Sequence, residues 1–183
     1  MEIIIVLGVI ALVVLFFVAQ YNRRIRLNIS VDEAWAQIEV QLKRRADLIP
    51  NLVETVKGYA KHEQSTFDAV VTARAKATTA STVADTAAAD GMLTQALRGL
   101  LAVAEAYPDL KASANFISLQ EELATTENKV AFSRQFYNDN VRELNTAVKT
   151  VPTNFFAGFA KVTEREFYEV EDPQDRKAPN VKF

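Results

Sequence analysis

Residues 3–22 are twenty consecutive uncharged positions, and residues 3–19 are almost purely Ile, Val, Leu, Phe and Ala. At 1.5 Å per residue, twenty helical residues span roughly 30 Å, the thickness of a bilayer's hydrocarbon core. Beyond them the pattern turns periodic. Ser30-Val-Asp-Glu33 has the S-x-x-E form of a capping box and predicts a helix start. From there Val31, Trp35, Ile38, Leu42, Arg45, Ile49, Leu52, Val56 and Tyr59 recur in alternating steps of four and three, which keeps one seam facing partner helices. Two of its features are anomalous: an arginine, Arg45, sits in the seam, and Pro50 interrupts it. Proline removes one amide and crowds the carbonyl four residues back, at Ala46, so the sequence predicts either a kink with the helix resuming in register or a full break with Asp47 as a new N-cap.

The seam falters around residues 58–63, which predicts a chain reversal near Lys61 and His62. Phe67, Val70, Arg74 and Ala77 resume helical spacing, and the small, polar run ASTVADTAAADG at residues 80–91 reads as a turn with a new helix capped near Asp85. Leu93, Leu97, Leu100, Ala104 and Tyr107 follow, then Pro108, which suits the first turn of another helix. That helix carries a long seam from Phe116 through Leu123, Val130, Tyr137 and Leu144 to Val151 and is ended by Pro152. Strand alternation is absent.

These segments predict an all-α chain: a transmembrane anchor (residues 1–22), a basic juxtamembrane linker (23–30), and an up-and-down antiparallel four-helix bundle (31–152). Its helices are expected at 31–60, kinked at Pro50, then 62–81, 85–106 and 108–151. In residues 153–183, Phe155, Phe156, Phe159, Phe167 and Tyr168 predict a first part docked on the bundle end, with a mobile tail beyond Glu169.

Composition closes several classes of chemistry. The chain has no cysteine, which excludes disulfides, thiolate metal sites and thiol catalysis. A net charge of −2 lacks the basic excess of a nucleic-acid binder. Start Met-Glu and the lack of an A-x-A site favour an uncleaved anchor over a signal peptide. Arg23, Arg24 and Arg26 follow the apolar run, and such a bias sets the N-terminus outside and the bulk of the chain in the cytoplasm. The same three arginines could also touch anionic headgroups, although a topology signal accounts for them.

Motifs for catalysis are missing. His62 is the single histidine, so neither H-E-x-x-H nor paired Glu-x-x-His can form. A stabiliser of a helix dipole is the reading that fits it. No G-x-S-x-G, Walker A or G-x-G-x-x-G occurs. The reading is therefore of no enzyme, no catalytic residue, no metal and no cofactor. Arg45 remains the residue to explain. A charge in a bundle seam needs a partner, and the candidates are Glu127, with Asn128 or Asn51 completing its hydrogen bonds. The alternative is that Arg45 carries its head to water along an apolar stem.

With these residues assembled, the chain resembles the LemA family. The resemblance rests on AWAQIEVQLKRRADLIPNLVETVKGYAKHE (34–63), YPDLKA (107–112), LQEELATTENKVAFSRQFYN (119–138), FYEVED and APNVKF. It implies bacterial membrane proteins with one N-terminal transmembrane helix, an outward N-terminus and a cytoplasmic four-helix domain, without an established catalytic activity or agreed site residues. The expected function is a membrane-anchored, non-enzymatic scaffold that engages an unidentified protein partner on the cytoplasmic side. The alternative is a lipid-binding protein that organises membranes by oligomerising; the length of the last seam allows a homo-oligomer.

Overall fold

The computed structural model describes residues 1–150 and 161–169. Among them there is no strand, and the order is α1 (Glu2–Lys57), α2 (Gln64–Thr79), α3 (Val83–Glu105), a single turn α4 (Pro108–Lys111) and α5 (Ala114–Lys149). Residues 161–169 form no helix or strand. Two expectations change, and at Pro50 the alternative of a full break is not realised.

First, α1 runs through residues 23–30, so Ser30 lies inside the helix and caps nothing. The apolar segment upstream is already helical, so the amides that a cap would satisfy are bonded within the helix. At Pro50, which is exposed and lies inside the helix, α1 is not broken. The carbonyl deprived of its partner is that of Ala46, a residue 4% exposed, and it accepts instead from Arg74 Nε of α2 at 2.8 Å. An arginine from the next helix therefore replaces the missing amide. Second, the expected helix over 108–151 is split at Ala112 and Ser113. Leu110 is fully buried, yet in one continuous helix at about 100° per residue it would point about 120° away from Phe116. The break resets the phase so that both point inward.

The repair at Ala46 makes a testable statement about coupling. Arg74→Met is expected to cost about 1–3 kcal/mol, because it leaves a buried carbonyl unbonded. In a Pro50→Ala background residue 50 regains its amide, and the cost of Arg74→Met is expected to fall below about 1 kcal/mol. Urea unfolding of the four proteins in detergent, followed by circular dichroism, reads the difference.

The chain divides into two compact units. Of the described residues, one comprises 38–132 with Tyr168 and Glu169. Its apolar core takes Ile49, Leu52, Val53 and Val56 from α1, Phe67, Val70 and Ala73 from α2, Leu93, Leu97, Leu100 and Ala104 from α3, Leu110 from α4, and Phe116 and Leu123 from α5. The turn near Lys61 falls where the seam falters, since α1 ends at Lys57 and Tyr59 is exposed. His62 lies in that turn, exposed and five residues past the end of α1, which is too far to act on the helix end. Helix α3 starts earlier than expected, with Thr82 as its N-cap. The Thr82 hydroxyl accepts from the Asp85 amide at 3.0 Å and donates to the Asp85 carboxylate at 2.7 Å. Asp85 is thus the reciprocal residue of the cap rather than the cap itself.

The other unit comprises, of the described residues, 1–37, 133–150 and 161–167. Here α1 and the second half of α5 run antiparallel: Trp35 meets Tyr137 with ring centroids 5.5 Å apart, while Arg24 meets Ala147. Val31, Ala34, Val141, Leu144 and Ala147 are buried, together with Val162 of the segment 161–167. That segment is held largely by polar bonds. Asn145 pairs with the Arg165 backbone twice, donating to its carbonyl and accepting from its amide, both at 2.9 Å. Tyr137 Oη donates to the Glu166 carbonyl at 2.9 Å. Burial raises the Tyr137 pKa, with Arg165 opposing and Glu166 and Asp32 adding to it, which keeps the phenol protonated as a donor. Arg165 itself reaches Asp32 at 2.6 Å and Asn28 at 3.2 Å.

Of the aromatic residues expected to dock, Tyr168 is buried and Phe167 is 41% exposed. Phe155, Phe156 and Phe159, and the tail beyond Glu169, lie outside the described residues.

Candidate functional site

Arg45, in the seam of α1, is 2% exposed. Its stem packs in the core, and its head does not reach water. Nη1 donates to Asp90 Oδ1 at 2.7 Å, and Nη2 lies 3.7 Å from Glu127 Oε1. Asp90 is the dominant partner by both distance and burial: it is 3% exposed, whereas the Glu127 side chain is 47% exposed. The second oxygen of Asp90 accepts from Tyr168 Oη at 3.2 Å. One buried carboxylate therefore ties α1, α3 and Tyr168 together. Thr94 adds a bond to the Asp90 main-chain carbonyl at 3.0 Å.

Asn51 and Asn128 do not join this cluster. Both are exposed, and the structure gives neither of them a bond to Arg45; Nε of Arg45 is buried without a partner. The residue that sequence reasoning missed is Asp90. It stands at the end of TAAAD, within a run whose small and polar residues read as a turn. A signal was available, since Asp90 precedes Leu93 and Leu97 by three and seven residues and so belongs to the buried face of that helix.

The juxtamembrane arginines take three different positions. Arg23 lies 3.7 Å from Glu143, with both side chains more than half exposed. Arg26 is exposed. Arg24 is 1% exposed, and its Nη2 donates to the Ala147 carbonyl of α5 at 3.1 Å. Ala147 is among the last residues of α5, where a cation is favoured by the helix dipole. Arg24 therefore serves as a cap from another helix. Burial lowers its pKa, though a guanidinium stays charged.

Chemically, the Arg45 cluster positions a carboxylate that is fully engaged by donors, a geometry that holds elements in place. Among the described residues there is no group of three or more His, Cys, Asp or Glu able to hold a metal.

The apolar segment completes the picture. Residues 3–18 are exposed: Ile3 is 76% exposed, and Phe16, the least exposed of the large apolar residues there, 43%. The fold and site thus define an all-helical protein whose first helix is long and apolar enough to cross a membrane. The chain belongs to the LemA family, whose model matches residues 34–183. It is 24% identical to Protein LemA of Metamycoplasma hominis over 142 residues, which cover 77% of this chain and 65% of that relative. The chain spans less than two thirds of the length of the curated relative it matches.

Proposed function

We propose that this protein is a non-enzymatic scaffold anchored in the cell membrane by residues 1–22, with a cytoplasmic helical domain that engages another protein. In this reading the N-terminus lies outside, and the helices of the domain form an up-and-down four-helix bundle. The observation that carries it is the continuity of α1, which passes from exposed apolar residues into the packed part of the same helix without a loop. Residues at the junction are engaged rather than slack: Arg24 is buried on α5, and Asn28 and Asp32 hold Arg165. A helical junction fixes the domain's first helix to its anchor, and anchoring raises the local concentration of a binding surface.

The test compares the full chain with one lacking residues 1–22, each crosslinked in cells and recovered with its neighbours. The truncated chain is expected to fold yet to lose at least about tenfold in recovery of the partner, the lower range of what tethering contributes. Equal recovery from both forms would remove the tether from the account.

A further inference from the structure

Arg24 lies 21 residues before Arg45, three heptads earlier on the same helix. The two positions share a layout. Each holds a buried guanidinium with an unpartnered Nε, and four residues earlier a glutamine, Gln20 or Gln41, whose Oε1 is buried without a donor. They differ in charge. Arg45 has Asp90 and Glu127 beside it, whereas Arg24 has the Ala147 carbonyl as its one partner among the described residues, and both Nε and Nη1 are unpaired.

Among the described residues no carboxylate pairs with Arg24 and only the partial charge of the α5 terminus offsets it, so a further negative charge is the feature to explain. Position suggests its source. Arg24 stands two residues beyond the twenty uncharged residues of the anchor, at the depth where the headgroup phosphates of a bilayer lie. Arg23 and Arg26 flank it on the same helix. Lys149, at the end of α5, stands near Ala147 and pairs with Glu164 at 2.8 Å.

We propose that Arg24, with Gln20 as a second donor, binds the anionic phosphate group of a lipid headgroup at the membrane surface. The proposal rests on the membrane reading above. Side chains four residues apart on a helix are neighbours, and the two ends of a glutamine amide are interchangeable in placement. Turning Gln20 presents its NH2 group to the phosphate and relieves the unbonded Oε1. In the protein alone Nε and Nη1 are buried, so binding in this proposal requires the side chains around them to move, the partly buried Gln20 among them.

The experiment uses the full chain extracted from nanodiscs of mixed phosphatidylcholine and phosphatidylglycerol, and native mass spectrometry counts the lipids retained. Wild type is expected to retain phosphatidylglycerol over phosphatidylcholine by about fivefold, the ratio that one arginine near anionic headgroups supplies. Arg24→Gln is expected to bring the ratio close to unity, while the exposed Arg26→Gln leaves it largely unchanged. Gln20→Glu gives the decisive variant, because it supplies the missing anion from within: the lipid preference should vanish and the thermal midpoint in phosphatidylcholine should hold or rise. It decides the matter also if Arg24→Gln does not fold. A preference that persists in folded Arg24→Gln or in Gln20→Glu overturns the proposal. Inorganic phosphate is the second probe. If it raises the midpoint in pure phosphatidylcholine and displaces the retained phosphatidylglycerol, the ligand is free phosphate and the lipid assignment is overturned. Release of the chain from membranes by alkaline carbonate would instead defeat the membrane reading, while the phosphate arm still reports on Arg24.

Discussion

Asp90→Ala is expected to destabilise the protein by about 3–5 kcal/mol, the cost of leaving a buried charge without its partner. The change strands Arg45, which is 2% exposed and whose remaining carboxylate neighbour, Glu127, is 3.7 Å away and half exposed. It also removes the acceptor of the buried Tyr168 hydroxyl. The loss should be smaller when both charges are removed together, as in Arg45→Met with Asp90→Leu, because an apolar pair avoids the desolvation that the ion pair must overcome. Thermal unfolding in detergent checks both statements. A double-mutant cycle on Arg45 and Glu127 should show a coupling of no more than about 1 kcal/mol, since a half-exposed carboxylate is screened. If Glu127→Ala proved as damaging as Asp90→Ala, the assignment of Asp90 as the principal partner would be wrong.

Phe67→Ala is expected to cost about 3–5 kcal/mol, in the range for emptying a buried aromatic site. Little else holds α2 in place. Of its sixteen residues the buried ones are Phe67, Val70 and Ala73, so the phenylalanine supplies most of the apolar surface the helix contributes. It has no hydrogen-bonded N-cap side chain either. Lys57 Nζ lies 5.6 Å from the ring centroid, an interaction that vanishes with the ring. Loosening α2 also withdraws Arg74 from the Ala46 carbonyl. Hydrogen exchange should therefore show α2 amides losing protection before those of α3. Uniform loss along the chain would argue that α2 is not the weak element.

Periodicity made the buried faces legible before their partners were known. Ile38, Arg45, Ile49, Leu52 and Val56 of the first seam are all buried, as are Phe116, Leu123, Val130, Tyr137 and Leu144 of the last. A step of 3.5 residues reports which face turns inward, and it does so even where that face contains an arginine or spans a proline. What periodicity cannot carry is the identity of a partner on another helix. Arg74 was legible as a seam residue, yet its bond to Ala46 depends on α2 passing beside the proline gap. Asp90 was hidden for a related reason: threonine and aspartate are read locally as turn and cap formers, and burial against Arg45 overrides that preference.

Local cap signals failed in both directions. Ser30 has the form of a cap and lies mid-helix, because the anchor upstream is helical and leaves no amide to satisfy. Thr82, three residues earlier in the chain than the expected start, makes the reciprocal bonds with Asp85. The polar hold on residues 161–169 was the least legible part. Phenylalanine content suggested docking, whereas Asn145, Tyr137 and Tyr168 supply the bonds that fix it. Single asparagines and tyrosines on a helix carry no sequence sign of a backbone they will bind.

The most direct test of the account is the side of the membrane on which the domain lies. The chain has no cysteine, so one placed at the exposed Ser81, between α2 and α3, is a unique label site. Intact cells carrying full-length Ser81→Cys are treated with a membrane-impermeant maleimide, and a lysed sample shows that the thiol is reactive. The account predicts modification only after lysis. Modification of intact cells would contradict it, placing the helical domain outside the cytoplasm and removing the proposed scaffold from the compartment in which its partner is sought.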